Sequence, residues 1–120
     1  MSKPLLQIAL DNSVLSDAIS SIRQVGDEVD IIEAGTILCL AEGMEAVRCL
    51  RAMYPNKIIL ADTKCADAGK TVAENCARAG ADWMTVICSA TIPTMVAAKK
   101  EVKDLQVELY GDWTYEHAKA

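Results

Sequence analysis

The chain has 120 residues, 52% apolar and 24% charged, with a formal net charge of −5. That composition describes a globular domain with a modest core rather than a disordered segment. The acidic balance, with no basic stripe, argues against broad nucleic-acid or anionic-membrane binding, and no apolar run approaches the ~20 residues that span a bilayer.

In chain order, Met1-Ser2-Lys3-Pro4 leads straight into the apolar segment Leu5–Leu10. That segment is too short for a signal h-region and no small-residue cleavage site follows, so a cytoplasmic location is expected. Leu5–Leu10 is read as the first strand. The next helix carries Val14, Leu15, Ala18, Ile19, Ile22 and Val25 as one apolar stripe, with Asn12 and Ser13 as expected N-caps. A second strand is expected over Val29–Glu33. A helix with Met44, Val47, Leu50 and Met53 on one face follows and is stopped at Pro55. The third strand is placed at Lys57–Ala61. Its helix carries Val72, Ala73, Cys76 and Ala79 and ends at Gly80, a natural helix terminator. The fourth strand is Trp83–Cys88, followed by a helix from Thr91-Ile92-Pro93 towards Val102, with proline early in its first turn. A fifth strand is expected over Leu105–Leu109, and a further helix from Thr114.

These strands are near-continuous apolar runs, as in a parallel sheet covered by helices. Alternation of strand and helix every ~25 residues implies repeated right-handed βαβ units. No Gly-x-Gly-x-x-Gly follows the first strand and no Walker A run occurs, which disfavours a dinucleotide-binding fold and a P-loop. The five cysteines (39, 49, 65, 76 and 88) form no C-x-x-C pair and are read as reduced residues, mostly core fillers. Cys65 lies in the most polar motif, but a nucleophilic role would need a base, and the single histidine, His117, is far away in sequence.

Four of the five strands carry an acid at or near the C-terminal end: Asp11, Glu33, Asp62 and Glu108. In β/α barrels that rim is where chemistry is assembled. Acids there also cap a following helix, and for Asp11 alone capping serves equally well. Capping suits Glu33 less, since Ala34-Gly35-Thr36 follows and no helix is expected to start at once. Glu33 and Asp62, on adjacent strands, offer hard oxygen ligands to one Mg²⁺. Lys64, two residues beyond Asp62 on an extended segment, would share its side and stabilise a developing oxyanion or deliver a proton. Asp67 falls where the chain turns into the next helix, with capping or a solvated ion pair as its plain role.

The run Asp62-Thr63-Lys64-Cys65-Ala66-Asp67 matches the D-x-K-x-x-D motif of the orotidine 5′-monophosphate decarboxylase suprafamily. Leu6–Asp11, Val29–Thr36, Leu60–Lys64, Ala81–Cys88 and Val107–Leu109 together resemble its keto-gulonate phosphate decarboxylase branch. The orotidine enzymes are metal-independent, with lysine where this chain has Glu33. The hexulose-phosphate synthases share the glutamate but typically have aspartate where this chain has Glu108. The resemblance implies a (β/α)8 TIM-barrel fold and Mg²⁺-dependent decarboxylation of 3-keto-L-gulonate 6-phosphate, a phosphorylated keto-sugar acid, through an enediolate. It further implies Glu33 and Asp62 as metal ligands and Lys64 as the catalytic cation. Asp11 would bind substrate hydroxyls, Glu108 would orient Lys64, and Asp67 would act across a homodimer interface.

A closed barrel takes eight strands and ~200 or more residues. Residues 1–120 are therefore expected to be the N-terminal part of one barrel domain of about five βα units. On this reading the phosphate-binding residues lie further on, the chain alone turns over little substrate, and its open sheet edges need covering. Hexulose-phosphate synthesis and a non-catalytic, self-associating barrel segment are the alternatives.

Overall fold

The structure, a computed structural model, describes residues 2–108; Leu109, the helix expected from Thr114, and His117 lie outside them. The apolar runs form five strands: β1 (Gln7–Leu10), β2 (Ile31–Ala34), β3 (Ile58–Cys65), β4 (Trp83–Ile87) and β5 (Asp104–Glu108). All pair in parallel, in the spatial order β1-β2-β3-β4-β5. A doubly wound sheet reverses its strand order partway; a strictly sequential order is that of a β/α barrel.

The helices are α1 (Leu15–Val25), α2 (Thr36–Glu42), α3 (Glu45–Met53), α4 (Gly69–Ala79) and α5 (Ile92–Lys99). They cover one face of the sheet. Ile32, Ile59, Met84 and Val86 from the strands pack there against Ile22, Leu38, Leu50 and Ala73. Each large side chain so buried stabilises the fold by ~1.5–3 kcal/mol relative to exposure. Residues alternate across a strand, so Gln7, Glu33, Asp62, Thr85, Gln106 and Glu108 fall on the opposite, inner face. The sheet curls far enough for side chains of the first and last described strands to meet there: Gln106 Nε2 donates to Gln7 Oε1 at 3.2 Å.

The structure departs from the sequence reading in three places. Helix α1 begins after Val14, in extended conformation, with no side-chain cap, so Asn12 and Ser13 do not cap it; apolar packing of Ala18 and Ile22 defines its start instead. A helix does begin directly after β2, because Gly35 is the N-cap of α2. Strand β3 is not finished at Ala61 but runs through the polar motif to Cys65. Elsewhere the expectations hold closely. Thr91 caps α5 by accepting from the Thr94 N–H, with proline in the first turn, and α4 ends at Gly80 with φ +106°.

At the N-terminal end of the strands, Arg51 ties α3 to the sheet. Its guanidinium donates to the carbonyls of Gly80 (2.8 Å) and Lys57 (2.9 Å) and pairs with Asp82. Asp82 also accepts from the Ile59 N–H at 3.0 Å and from Lys103 at 2.8 Å. Burial alone would raise the Asp82 carboxyl, but Lys103, the Ile59 N–H and Arg51 outweigh it and hold it below the usual range. Arg51→Ala leaves this carboxylate and several carbonyls short of donors. It is expected to destabilise the fold by about 2–4 kcal/mol, read as a lowered urea midpoint at unchanged slope. A midpoint equal to the parent's would contradict this account.

Candidate active site

The charged residues of the inner face gather at the C-terminal ends of β2, β3 and β5, with Thr85 of β4 against them. Carboxylate oxygens of Glu33, Asp62 and Glu108 all lie within 4.8 Å of one another. Lys64 sits among them, with Nζ 2.9 Å from Asp62 Oδ2, 2.9 Å from Glu108 Oε2 and 2.6 Å from Thr36 Oγ1. It donates hydrogen bonds to Asp62 and Thr36 and pairs in charge with Glu108.

The local chain path explains how Lys64 reaches this position. Ala61 pairs with Met84 and Cys65 pairs with Val86, so Asp62, Thr63 and Lys64 all lie opposite the single residue Thr85. This is a bulge, and Lys64 takes a left-handed backbone with φ +46°. The two side chains do share one side, as the i, i+2 spacing suggested. The cause is a kinked strand end rather than plain extended chain. Thr85 locks the kink: its fully buried hydroxyl donates to Asp62 Oδ1 at 2.7 Å and accepts from the Lys64 N–H at 2.8 Å. Thr63 Oγ1 donates to the Thr85 carbonyl at 3.0 Å.

Charge balance sets the protonation states. Glu33 is 7% exposed, and burial, then Asp62, Asp11 and Glu108, push its carboxyl up to about 7 against the opposing Lys64. Burial also works to raise Asp62, but hydrogen bonds from Lys64 and Thr85 prevail and hold it below the ordinary carboxylate range. Glu108 is raised, first by burial and then by its closeness to Asp62. Lys64 goes to about 12, because Asp62 and Glu108 overcome the desolvation that would lower it. One ammonium among three carboxylates leaves the cluster short of positive charge. The donors are hard oxygens only, the set that suits Mg²⁺ or Ca²⁺ rather than a soft metal.

Asp11 stands at the rim beside this cluster. A Cβ on Gly35 would run into Asp11 Oδ1 and lie 2.7 Å from the Leu10 carbonyl oxygen, so the absent side chain lets the β1 and β2 ends close up. Below, Gln7 Nε2 donates to Glu33 Oε1 at 3.1 Å. Asp67 is not drawn in: it is exposed, and its Oδ1 accepts from the Ala68 N–H at 2.7 Å. Cys65 is buried, its thiol donates to the Asp67 carbonyl at 3.0 Å, and burial raises its pKa, so it is an inert structural thiol.

Five of the six residues singled out in the sequence therefore meet at one strand-end rim, and Asp67 lies apart. Sequence reasoning missed Thr36, Thr85, Gln7 and Gln106. A polar residue at an inward position of an otherwise apolar strand was the available signal for Thr85 and the two glutamines.

Fold and site together define a barrel-type α/β protein with an acidic, lysine-bearing centre. The sequence family described as Orotidine 5′-phosphate decarboxylase / HUMPS matches residues 4–120, and the chain belongs to it. It is 54% identical over 98% of its length to the 3-keto-L-gulonate-6-phosphate decarboxylase UlaD of Escherichia coli O17:K52:H18, covering 56% of that protein. The crystal structure of KGPDC from Streptococcus mutans superimposes with a TM-score of 0.92 at 59% identity, covering 97% of this chain and 58% of that one. A 3-hexulose-6-phosphate synthase from Salmonella typhimurium is more distant, with a TM-score of 0.83 at 34% identity, covering 87% of this chain and 51% of that one. The chain thus spans about half the length of the curated relatives it matches.

Proposed function

We propose that the full-length protein decarboxylates 3-keto-L-gulonate 6-phosphate to L-xylulose 5-phosphate and CO₂ with the help of Mg²⁺. The observation that carries this reading is the convergence of Glu33, Asp62 and Glu108 around Lys64. The 54% identity to a protein of that name supports it. Loss of CO₂ beside a ketone leaves an enediolate, whose negative charge must be met. Glu33 and Asp62 would hold the cation, which when bound supplies Lewis-acid stabilisation of that charge. Lys64 contributes fixed positive charge at the same place, already aimed by Glu108 and Thr36 and needing no reorganisation. Asp11, at the open rim, is suited to accept hydrogen bonds from substrate hydroxyls. Asp67, exposed and outside the cluster, is assigned to the site of a second subunit in a homodimer. Among the described residues no helix is long and apolar enough to cross a membrane, and the reading places the enzyme in the cytoplasm.

The test uses the purified full-length protein, following CO₂ release from 3-keto-L-gulonate 6-phosphate with Mg²⁺, and after EDTA and metal restoration. Release that stops with EDTA and returns with Mg²⁺ is expected. Release indifferent to EDTA would refute the metal assignment. Faster aldol condensation of formaldehyde with ribulose 5-phosphate would transfer the protein to the synthase branch.

A further inference from the structure

Thr85 is the fully buried polar residue at the heart of the bulge. Three consecutive residues of β3 face it, and two of them, Asp62 and Lys64, are those on which the proposed chemistry depends. A threonine hydroxyl has one proton to give and lone pairs to accept. Here the proton goes to Asp62 Oδ1 at 2.7 Å, and a lone pair receives the Lys64 N–H at 2.8 Å. The first bond turns the Asp62 carboxylate so that its other oxygen, Oδ2, meets the Lys64 ammonium at 2.9 Å. The second holds a non-glycine residue at φ +46°, a conformation that lysine does not adopt without support. The Thr85 carbonyl completes the clasp by accepting from Thr63 Oγ1 at 3.0 Å.

We infer that Thr85 is a positioning residue of this site, whose single hydroxyl fixes both the Asp62 carboxylate and the backbone that presents Lys64. The inference rests on the reading of the site as a metal-assisted decarboxylase centre. Valine has the shape of threonine without the hydroxyl, so Thr85→Val removes both bonds while keeping the packing. Serine keeps the hydroxyl and drops only a methyl group.

The experiment compares the full-length parent with T85V, T85S and T85A. Mn²⁺ affinity is measured by electron paramagnetic resonance titration, kcat and KM by CO₂ release, and folding by circular dichroism. T85V is expected to weaken Mn²⁺ binding about tenfold and to lower kcat about 100-fold, with KM changing far less. T85S is expected to stay within about threefold of the parent in both, because it retains the hydrogen bonds. Should T85V not fold, T85A carries the same expectation. T85V or folded T85A matching the parent would overturn the inference and leave the functional reading intact. T85S losing as much as T85V would overturn it too, by showing that the methyl group matters and the hydroxyl does not. A parent that binds no Mn²⁺ and releases no CO₂ would overturn both.

Discussion

Lys64→Met in the full-length protein is expected to lower kcat by about 100- to 1,000-fold, the usual consequence of removing one preorganised donor from a developing oxyanion. The same substitution is expected to tighten, not loosen, divalent-cation binding. Nζ occupies Asp62 Oδ2, one of the oxygens that would meet a cation, and Glu108 Oε2 beside it. Methionine fills similar volume and vacates both. Opposite movements of turnover and Mn²⁺ affinity would separate the role of the lysine from that of the carboxylates. Unchanged kcat would remove Lys64 from the mechanism, and weakened Mn²⁺ binding would show that it supports the cation site rather than competing with it.

Glu33→Gln is expected to abolish high-affinity Mn²⁺ binding and yet stabilise the metal-free protein at pH 8. Glu33 is raised from 4.5 to about 7 in the folded state. Between those values the native protein holds a proton that the unfolded chain has released, so unfolding free energy falls as pH rises across that window. The stabilising contribution is complete below about pH 4.5 and lost above about pH 7. With allowance for solvent screening at the open rim, the amplitude is on the order of 2 kcal/mol. Glutamine has no proton to lose, so E33Q should flatten this part of the stability profile. Urea unfolding of the metal-free parent and E33Q at pH 5 and pH 8 checks the claim. Equal pH dependence of the two proteins would show that Glu33 is not the group responsible. Saturating Mg²⁺ should remove most of the slope in the parent, because a cation bound only to the folded state stabilises it and favours the ionised carboxylate.

The strands were legible because the central parallel strands of a β/α sheet are largely buried and read as short apolar runs. Asp11, Glu33, Asp62 and Glu108 were legible as the acids at their ends. Their meeting in space follows from strand order, which the repeated βα pattern implies. Helix α2 was hidden: Thr36–Glu42 is seven residues long, follows Ala34-Gly35 directly and exposes Ile37 and Leu40, so it shows no clean amphipathic stripe. Missing α2 meant missing Thr36, which it delivers to Lys64. The bulge in β3 was beyond reach for a different reason. A left-handed lysine contradicts local propensity and exists only because Thr85, from a neighbouring strand, holds it there. The uncapped start of α1 shows the reverse error, a sound local signal at Asn12 and Ser13 overruled by packing one turn further on.

The contact between Gln106 and Gln7 has a bearing on how Glu33 is held from beneath. Gln106 donates to Gln7, and Gln7 donates to Glu33, so the amides beneath the carboxylates are hydrogen-bonded in one direction. A carboxamide passes on polarity along such a row but surrenders no proton near neutral pH. The underside of Glu33 is therefore held by a donor that fixes which way the carboxylate faces and keeps its own protons.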